Sequence, residues 1–255
     1  MTTDTARMET KDAVRWFTNR AWSRAGAIAT TMARCGPRRA LRLGLRVLML
    51  VGGSLLIAVA IAALLWNSFG PGPLDVFIAG LRTTTGISLT LAYWTSFAGM
   101  LVLAALLGRR PGPGTIVTPL ILGPAVEALL SLAEQVDRPG SVAVQVLVHV
   151  GAIGLAGIGA GALIVSGLGA GTGELLATAA SDRTGHPEPH VRFGIEMSFL
   201  AVGVILGGPI GIGTVIVAGL IGPAVSNGHR LVNGLVGPPR RRLGAPAAYH
   251  TPTAV

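Results

Sequence analysis

Charge is almost absent from the middle of this chain, and that absence limits the folds open to it. Between residues 47 and 228, 182 residues carry only six of the 20 lysine and arginine residues. Uncharged runs of about 20 residues recur there, and a helix of that length crosses about 30 Å of hydrocarbon. The whole chain is 12% charged, about half the usual fraction of soluble proteins. The sequence therefore predicts an integral membrane protein.

The apolar runs and the arginines together predict a topology. Six segments can span the membrane: 47–66, 87–107, 115–133, 141–165, 191–207 and 209–227. With a cytoplasmic N-terminus, 18 of the 20 basic residues fall on the cytoplasmic side, and only Arg82 and Arg138 fall outside. Because basic loops stay inside, we expect a multi-pass, all-α membrane protein of six helices with both termini in the cytoplasm.

The two ends of the chain are basic. Residues 1–46 form an arm with an amphipathic pattern, which predicts either a helix on an anionic inner leaflet or an unstructured basic segment. Residues 229–255 form a basic, proline-rich cytoplasmic tail, expected to be disordered from Gly237. Fourteen of the basic residues flank the apolar spans, a distribution that favours a lipid surface over nucleic acid. The single Cys35 excludes an intrachain disulfide and a structural zinc site.

An internal repeat divides the membrane part into segments 47–133 and 141–228. Residues 70–126 align with residues 169–225 at a shift of 99, without a gap, and 14 of the 57 pairs are identical. The matched motifs keep their order: Gly70-x-Gly72 with Gly169-x-Gly171, Gly112-x-Gly114-Thr115 with Gly211-x-Gly213-Thr214, and Gly-Pro124-Ala-Val with Gly-Pro223-Ala-Val. Scattered glycine enrichment would not preserve this order, so we infer a duplication.

Each copy holds an odd number of spans, three, so the second copy should enter the membrane inverted. Each also holds a segment too short to cross, at 73–85 and 173–184. Asp75 and Glu174 fall in the first turn of these short helices, where a carboxylate suits the positive end of the helix dipole. Paired short segments are typical of transporter binding sites. The alternative is a pair of interfacial connectors.

Four further polar residues lie in predicted spans. Glu196 follows Arg192 by four residues, so the two can pair on one helical face or Glu196 can reach the interface. Glu127 belongs either at the outer interface or in a proton relay. His149 is either a satisfied bundle histidine or a proton carrier. We treat Asp75, Glu174, Glu196, Arg192, His149 and Glu127 as candidate pathway or binding residues.

The repeated backbone motifs predict local structure. Gly70, Gly72, Gly169 and Gly171 should permit tight turns. Thr115 and Thr214 suit the N-caps of helices, while Pro124 and Pro223 interrupt hydrogen bonding within spans. Glycines in the fourth span, including Gly157-x-x-x-Gly161, predict close helix packing.

Known enzyme and metal motifs do not fit. In His186-Pro-Glu188-Pro-His190 the prolines prevent both histidines from sharing a helical face. The sequence has no nucleophile elbow and no phosphate-binding loop. We expect no enzyme activity, no metal and no cofactor.

Four motifs follow one another along the chain: Gly70-Pro-Gly-Pro-Leu-Asp75, Thr85-Gly86, Gly108-Arg-Arg-Pro-Gly-Pro-Gly-Thr115, and Val191-Arg192 before Glu196. Together they resemble the YczE-like bacterial membrane proteins, relatives of the YitT group. The resemblance covers about residues 46 to 232. It implies a polytopic protein of the bacterial inner membrane and no particular reaction.

Two functional hypotheses follow from these residues. The first is a transporter or permease for a small solute or ion, with Asp75 and Glu174 lining the route and Glu196 carrying a proton or cation. The alternative is a non-transporting membrane scaffold that docks a cytoplasmic partner through the arginine-rich arm. A homo-oligomer is compatible with either hypothesis.

Overall fold

The computed structural model describes residues 37–67, 69–138, 140–169 and 171–236, and within these ranges it is all-helical. The eight helices described are α1 Pro37–Trp66, α2 Pro73–Thr85, α3 Leu89–Leu106, α4 Pro113–Ala133, α5 Val142–Ser166, α6 Thr172–Thr184, α7 Glu188–Ile205 and α8 Ile212–Val236. Among the described residues, those from Arg46 onward form one compact unit.

Five of these helices, α1, α3, α4, α5 and α8, are long and apolar enough to cross a membrane. The molecule is therefore a multi-pass membrane protein. The fifth predicted span, 191–207, corresponds to α7, which has 18 residues but carries Glu188, Arg192 and Glu196. Because of these charged residues, α7 differs in composition from the five apolar helices.

The short helices begin and end almost where the sequence predicts, at 73–85 and 172–184. The predicted ends of the long helices are less accurate. Helix α1 begins at Pro37, ten residues before the predicted span, and α8 continues to Val236. Helix α8 thus extends nine residues beyond the predicted span and ends at the residue before the segment that is expected to be disordered. The predicted arm helix over residues 1–36 and the disorder beyond 236 lie outside the described residues.

The helix boundaries repeat along the chain. Helices α6 and α7 begin and end 99 residues after α2 and α3, and α8 begins 99 residues after α4. This interval equals the shift of the sequence repeat, so the duplication extends to secondary structure. Helix α2 packs against α7 of the other copy, and α6 packs against α3, so the two copies interlock.

Helices α5 and α8 meet through small residues, as the glycine spacing predicts. An ideal Cβ on Gly161 would lie 2.5 Å from the His229 nitrogen, and one on Gly157 would lie 2.9 Å from the Ala224 Cβ. Any side chain at these positions would push α8 away. Within lipid, helices associate mainly by such close packing, so these glycines position α8 directly.

Neither threonine of the repeated Gly-x-Gly-Thr motif is an N-cap, contrary to the sequence prediction. Helix α4 begins at Pro113 with Gly112 as its N-cap, and α8 begins at Ile212. Thr115 and Thr214 therefore lie inside the first turn. Proline suits the first helical position because its missing N–H would have no helical partner there. Pro124 and Pro223 lie inside α4 and α8, as predicted.

Candidate functional site

The carboxyl group of Asp75 is held between the start of α2 and the second turn of α3. Asp75 lies in the first turn of α2, as predicted, and accepts a 2.7 Å hydrogen bond from Tyr93 Oη. Tyr93 is 1% exposed, so this bond is sealed from solvent on the α3 side. Burial raises the pKa of Asp75 to about 6, although the Tyr93 hydroxyl and the Gly72 backbone oppose the rise.

Glu174 occupies the same position in α6. Its Oε2 accepts a 2.7 Å hydrogen bond from the Gly171 N–H, so the side chain closes the first turn of its own helix. Its Oε1 lies 3.4 Å from Nη1 of Arg192 on α7. Arg192 Nε also contacts Glu196 Oε1 at 3.1 Å. The predicted pairing of Arg192 with Glu196 is confirmed, and Glu174 joins it to form a cluster of two acids around one arginine.

These two acid sites are equivalent under the repeat. A shift of 99 residues places Asp75 on Glu174, Tyr93 on Arg192 and Phe97 on Glu196. Each short helix therefore presents its acid to the same position of the helix that follows it. In the first site a neutral tyrosine hydroxyl donates a hydrogen bond to a carboxyl group, and in the second site one arginine contacts two acids. We call them the tyrosine site and the arginine site.

Sequence reasoning missed Tyr93. The signal was available, because the repeat alignment places Tyr93 opposite Arg192. The contact depends on how α2 packs against α3, and no spacing along one helix reveals it. The six candidate residues do not form one cluster: Glu174, Arg192 and Glu196 come together, while Asp75, Glu127 and His149 have separate partners.

Glu127 holds the start of α3. It accepts hydrogen bonds from the Leu89 N–H at 3.3 Å, from the Thr90 N–H at 3.0 Å and from the Thr90 hydroxyl. These backbone groups belong to the first helical turn, which has no helical acceptors of its own. A carboxylate at this end also suits the helix dipole. These hydrogen bonds explain why a charged residue lies here, and they give Glu127 a structural role at the start of α3.

His149 is buried, at 2% exposed, between α5 and the start of α8. Its Nε2 lies 3.2 Å from the Gly213 carbonyl oxygen, and Phe69 packs against the ring edge. Because a carbonyl only accepts, Nε2 is the donor. Among the described residues, Nδ1 has no hydrogen-bond partner. His149 therefore contributes to helix packing, and its Nδ1 is a buried hydrogen-bond acceptor with no partner among the described residues.

The glycine motifs join the two copies reciprocally. A Cβ on Gly70 would lie 2.5 Å from Thr214 Oγ1, and one on Gly169 would lie 2.6 Å from Thr115 Oγ1. Gly70 has a φ of 111°, which side-chain-bearing residues rarely adopt, so its predicted turn is confirmed. Gly72 and Gly171 have φ values of −65° and −56°, which any residue can adopt, so the turns do not depend on a left-handed conformation at these two glycines.

A second reciprocal pair joins the ends of the short helices to the helices of the other copy. Thr84 Oγ1 donates to the Leu206 carbonyl oxygen at 2.9 Å, and Arg183 Nε donates to the Leu107 carbonyl oxygen at 3.2 Å. Position 84 corresponds to 183, and position 107 corresponds to 206. If one contact is known, the repeat therefore gives the other.

The remaining motif glycines allow close backbone approaches. A Cβ on Gly112 would lie 2.8 Å from the Leu168 carbonyl oxygen, and one on Gly114 would lie 3.1 Å from the Leu168 Cβ. One on Gly213 would lie 2.5 Å from the His149 ring. One on Gly211 would overlap the Phe69 carbonyl oxygen. The starts of α4 and α8 therefore fit tightly against the segments that precede α6 and α2.

An open cleft of about 320 Å³ lies at the far end of α2. Arg82 and Thr83 of α2, Leu89 of α3, Leu130 of α4 and Pro209 before α8 contribute to its wall. Asp75, Glu174 and Glu196 do not line it. In the described part of the chain, no group of three or more histidine, cysteine, aspartate or glutamate residues could hold a metal ion.

Residues 44–230 match a protein family that is described as a family of unknown function, DUF6198. The chain belongs to this family. It is also 29% identical over 160 residues to the uncharacterized membrane protein YczE of Bacillus subtilis strain 168, a match that covers 61% of this chain and 72% of that protein. The predicted resemblance to YczE-like proteins is thus confirmed. No solved structure matches the chain significantly.

Proposed function

We propose that this family member is a transporter of a small solute or ion, built from two inverted halves. The observation that carries the proposal is the equivalence of the tyrosine and arginine sites. Each half places one carboxyl group at the start of a short helix and bonds it to the same position on the next helix. Buried ionisable groups in membrane proteins are costly, and they commonly mark ion or substrate pathways.

The inverted arrangement requires α7 to cross the membrane as the fifth of six spans. Its charges do not forbid this, because Arg192 is paired with both Glu174 and Glu196. Its counterpart in the first copy, α3, is apolar enough to cross. The reciprocal contacts also support the proposal, since residues related by a two-fold axis exchange contacts in this way. In this arrangement both termini face the cytoplasm of a bacterial cell.

The two halves then have different roles in the mechanism. In alternating access, two matched halves rearrange around a site between them. The tyrosine site joins α2 to α3 near the outer face through a neutral hydrogen bond. The arginine site joins α6 to α7 near the cytoplasmic face through charges that are 18% to 35% exposed. A proton or cation that neutralises Glu174 or Glu196 would loosen only the second of these connections.

A ligand screen tests the proposal. The detergent-purified protein is heated with a library of ions and metabolites, because a ligand that binds only the folded state raises its stability by about 2.7 kcal/mol at a hundred times Kd. Hits are then assayed for uptake into liposomes. We expect Asp75→Asn, Glu174→Gln and Glu196→Gln to reduce uptake at least tenfold, and the exposed Glu134→Gln to leave it unchanged.

The same screen bears on the scaffold hypothesis. If no compound shifts the melting temperature and the three variants match the wild type, the transporter proposal fails. A pull-down with residues 1–46 would then test docking through the basic arm. That hypothesis stays a prediction, because residues 1–36 lie outside the described part of the chain.

A further inference from the structure

The cleft at the end of α2 has an uneven chemical lining. Arg82 is the one charged residue described along its wall. Leu65, Leu89, Leu130 and Pro209 make much of the remaining wall apolar. The Thr83 hydroxyl donates to the Ala79 carbonyl oxygen, so Arg82 supplies the polar contact for any occupant. Such a wall suits a molecule with one negative group and an apolar body.

The chemical lining of the cleft is not shared by the equivalent residues of the repeat. At the equivalent positions of the other copy, the residues are Asp182 for Thr83, Glu188 for Leu89, His229 for Leu130 and Arg110 for Pro209. The apolar residues Leu89, Leu130 and Pro209 therefore correspond to charged and polar residues at the equivalent positions of the repeat. Two copies of one segment have diverged at the positions that line the opening, as expected if one face has acquired a ligand.

An ion pair bridges the corresponding place in the other copy. Arg109 Nη2 lies 2.6 Å from Asp182 Oδ2, which ties the loop after α3 to the end of α6. The counterparts of these two residues beside the cleft are Gly208 and Thr83. The backbone of Gly208 packs directly against α2, where an added Cβ would overlap the Val76 carbonyl oxygen. The end of α7 is therefore joined to the end of α2 by the Thr84–Leu206 hydrogen bond and by backbone packing, without an ion pair among the described residues, and Thr83 and Pro209 line the cleft beside this contact.

The carboxylate of Glu127 on α4 already has hydrogen-bond donors. Glu127 interacts electrostatically with Arg82, but its oxygens accept hydrogen bonds from the first turn of α3. The α3 N-terminus thus offsets much of its charge. Arg82 itself is exposed and lines the cleft.

We propose that this cleft is the external binding site for a small, singly charged organic anion, with Arg82 as its cationic contact. The inference rests on the proposed function, because it makes the cleft the outer entry of the transporter. A volume of about 320 Å³ lies at the small end of the range for small-molecule sites, roughly 300–1,000 Å³. That size fits a short-chain carboxylate and is too small for a whole phospholipid.

Binding is tested with hexanoate and with hexylammonium, which has the same chain and the opposite charge. The full chain is placed in phosphatidylcholine nanodiscs, and binding is measured by calorimetry against empty nanodiscs. The variants are Arg82→Gln, Arg82→Lys and the control Arg138→Gln, which removes the other arginine of the predicted outer face. No transport is needed for the measurement, so its failure is distinct from a failure of the uptake assay.

We expect saturable binding of hexanoate and not of hexylammonium. Arg82→Gln should weaken it at least about tenfold, because a charge-assisted hydrogen bond is lost. Arg82→Lys should keep most of the affinity, and Arg138→Gln should stay within about twofold of wild type. Equal binding of both probes, no saturable binding of hexanoate, or equal losses in Arg82→Gln and Arg138→Gln would overturn the proposal. So would complete competition by phosphatidylglycerol in the nanodisc, because the cleft would then be a lipid site.

Discussion

At the residue scale, the tyrosine site depends on one hydrogen bond. Tyr93→Phe removes the donor to Asp75 and leaves a partly buried carboxyl group without its partner. Loss of a bond to a buried polar group costs about 1–3 kcal/mol, so we expect a loss of that size in the free energy of unfolding. Asp75→Asn keeps an acceptor for the hydroxyl and should cost less. Unfolding of the detergent-solubilised variants by SDS measures both, and equal losses would contradict this assignment.

The arginine site makes a different prediction, because one cation serves two acids. Arg192→Gln leaves Glu174 and Glu196 near each other without compensation, whereas Glu196→Gln leaves one ion pair in place. Partly exposed pairs contribute about 0–1 kcal/mol each. We therefore expect Arg192→Gln to destabilise by about 1–2 kcal/mol and Glu196→Gln by less than about 1 kcal/mol. The triple variant that also neutralises both acids should recover part of the Arg192→Gln loss. If it recovers nothing, the three side chains are not coupled.

At the element scale, glycines decide how closely α5 and α8 pack, and α5 carries its own control. Gly157→Val would place a side chain against Ala224 of α8, whereas nothing lies within 4 Å of a Cβ on Gly154. We expect Gly157→Val to lower the free energy of unfolding by about 1–3 kcal/mol or more, which is the usual cost of overpacking. We expect Gly154→Val to change it by less than about 1 kcal/mol. Thermal unfolding in detergent compares the two. Similar losses would mean that helix propensity, and not packing, sets the cost.

The same scale shows what the sequence can and cannot predict. Hydropathy, glycine motifs and the 99-residue shift predict the short helices 73–85 and 172–184 almost to the residue, because glycines mark their starts. They fail at Thr115, where a proline two residues earlier begins the helix. They also miss the start of α1 at Pro37, because arginines continue a helix as well as leucines do. The Asp75–Tyr93 bond needs the packing of two helices, which no local pattern encodes.

At the scale of the whole molecule, the interlocked repeat has a consequence for how it sits in the membrane. The two copies contact each other reciprocally, through Gly70 with Thr214 and Gly169 with Thr115. Either the copies face opposite sides of the membrane or they face the same side. If each copy has three spans, α7 included, the two copies must face opposite sides of the membrane. If α7 does not cross, the second copy has two spans and the topology is different. The side to which the end of each short helix is exposed decides between them.

Two threonines provide a matched test of this topology. Thr85 and Thr184 are equivalent under the repeat, and both are exposed. Each hydroxyl donates to the carbonyl oxygen four residues earlier, and the Thr184 hydroxyl also accepts a 3.4 Å hydrogen bond from the His186 N–H, so we expect the exposed positions to tolerate cysteine with a small cost at most. In a Cys35→Ser background, we expect a membrane-impermeant maleimide to label Thr85→Cys in intact cells and Thr184→Cys only after permeabilisation. Labelling of both from the same side would exclude the inverted repeat, and with it the two-faced arrangement of the tyrosine and arginine sites on which alternating access depends.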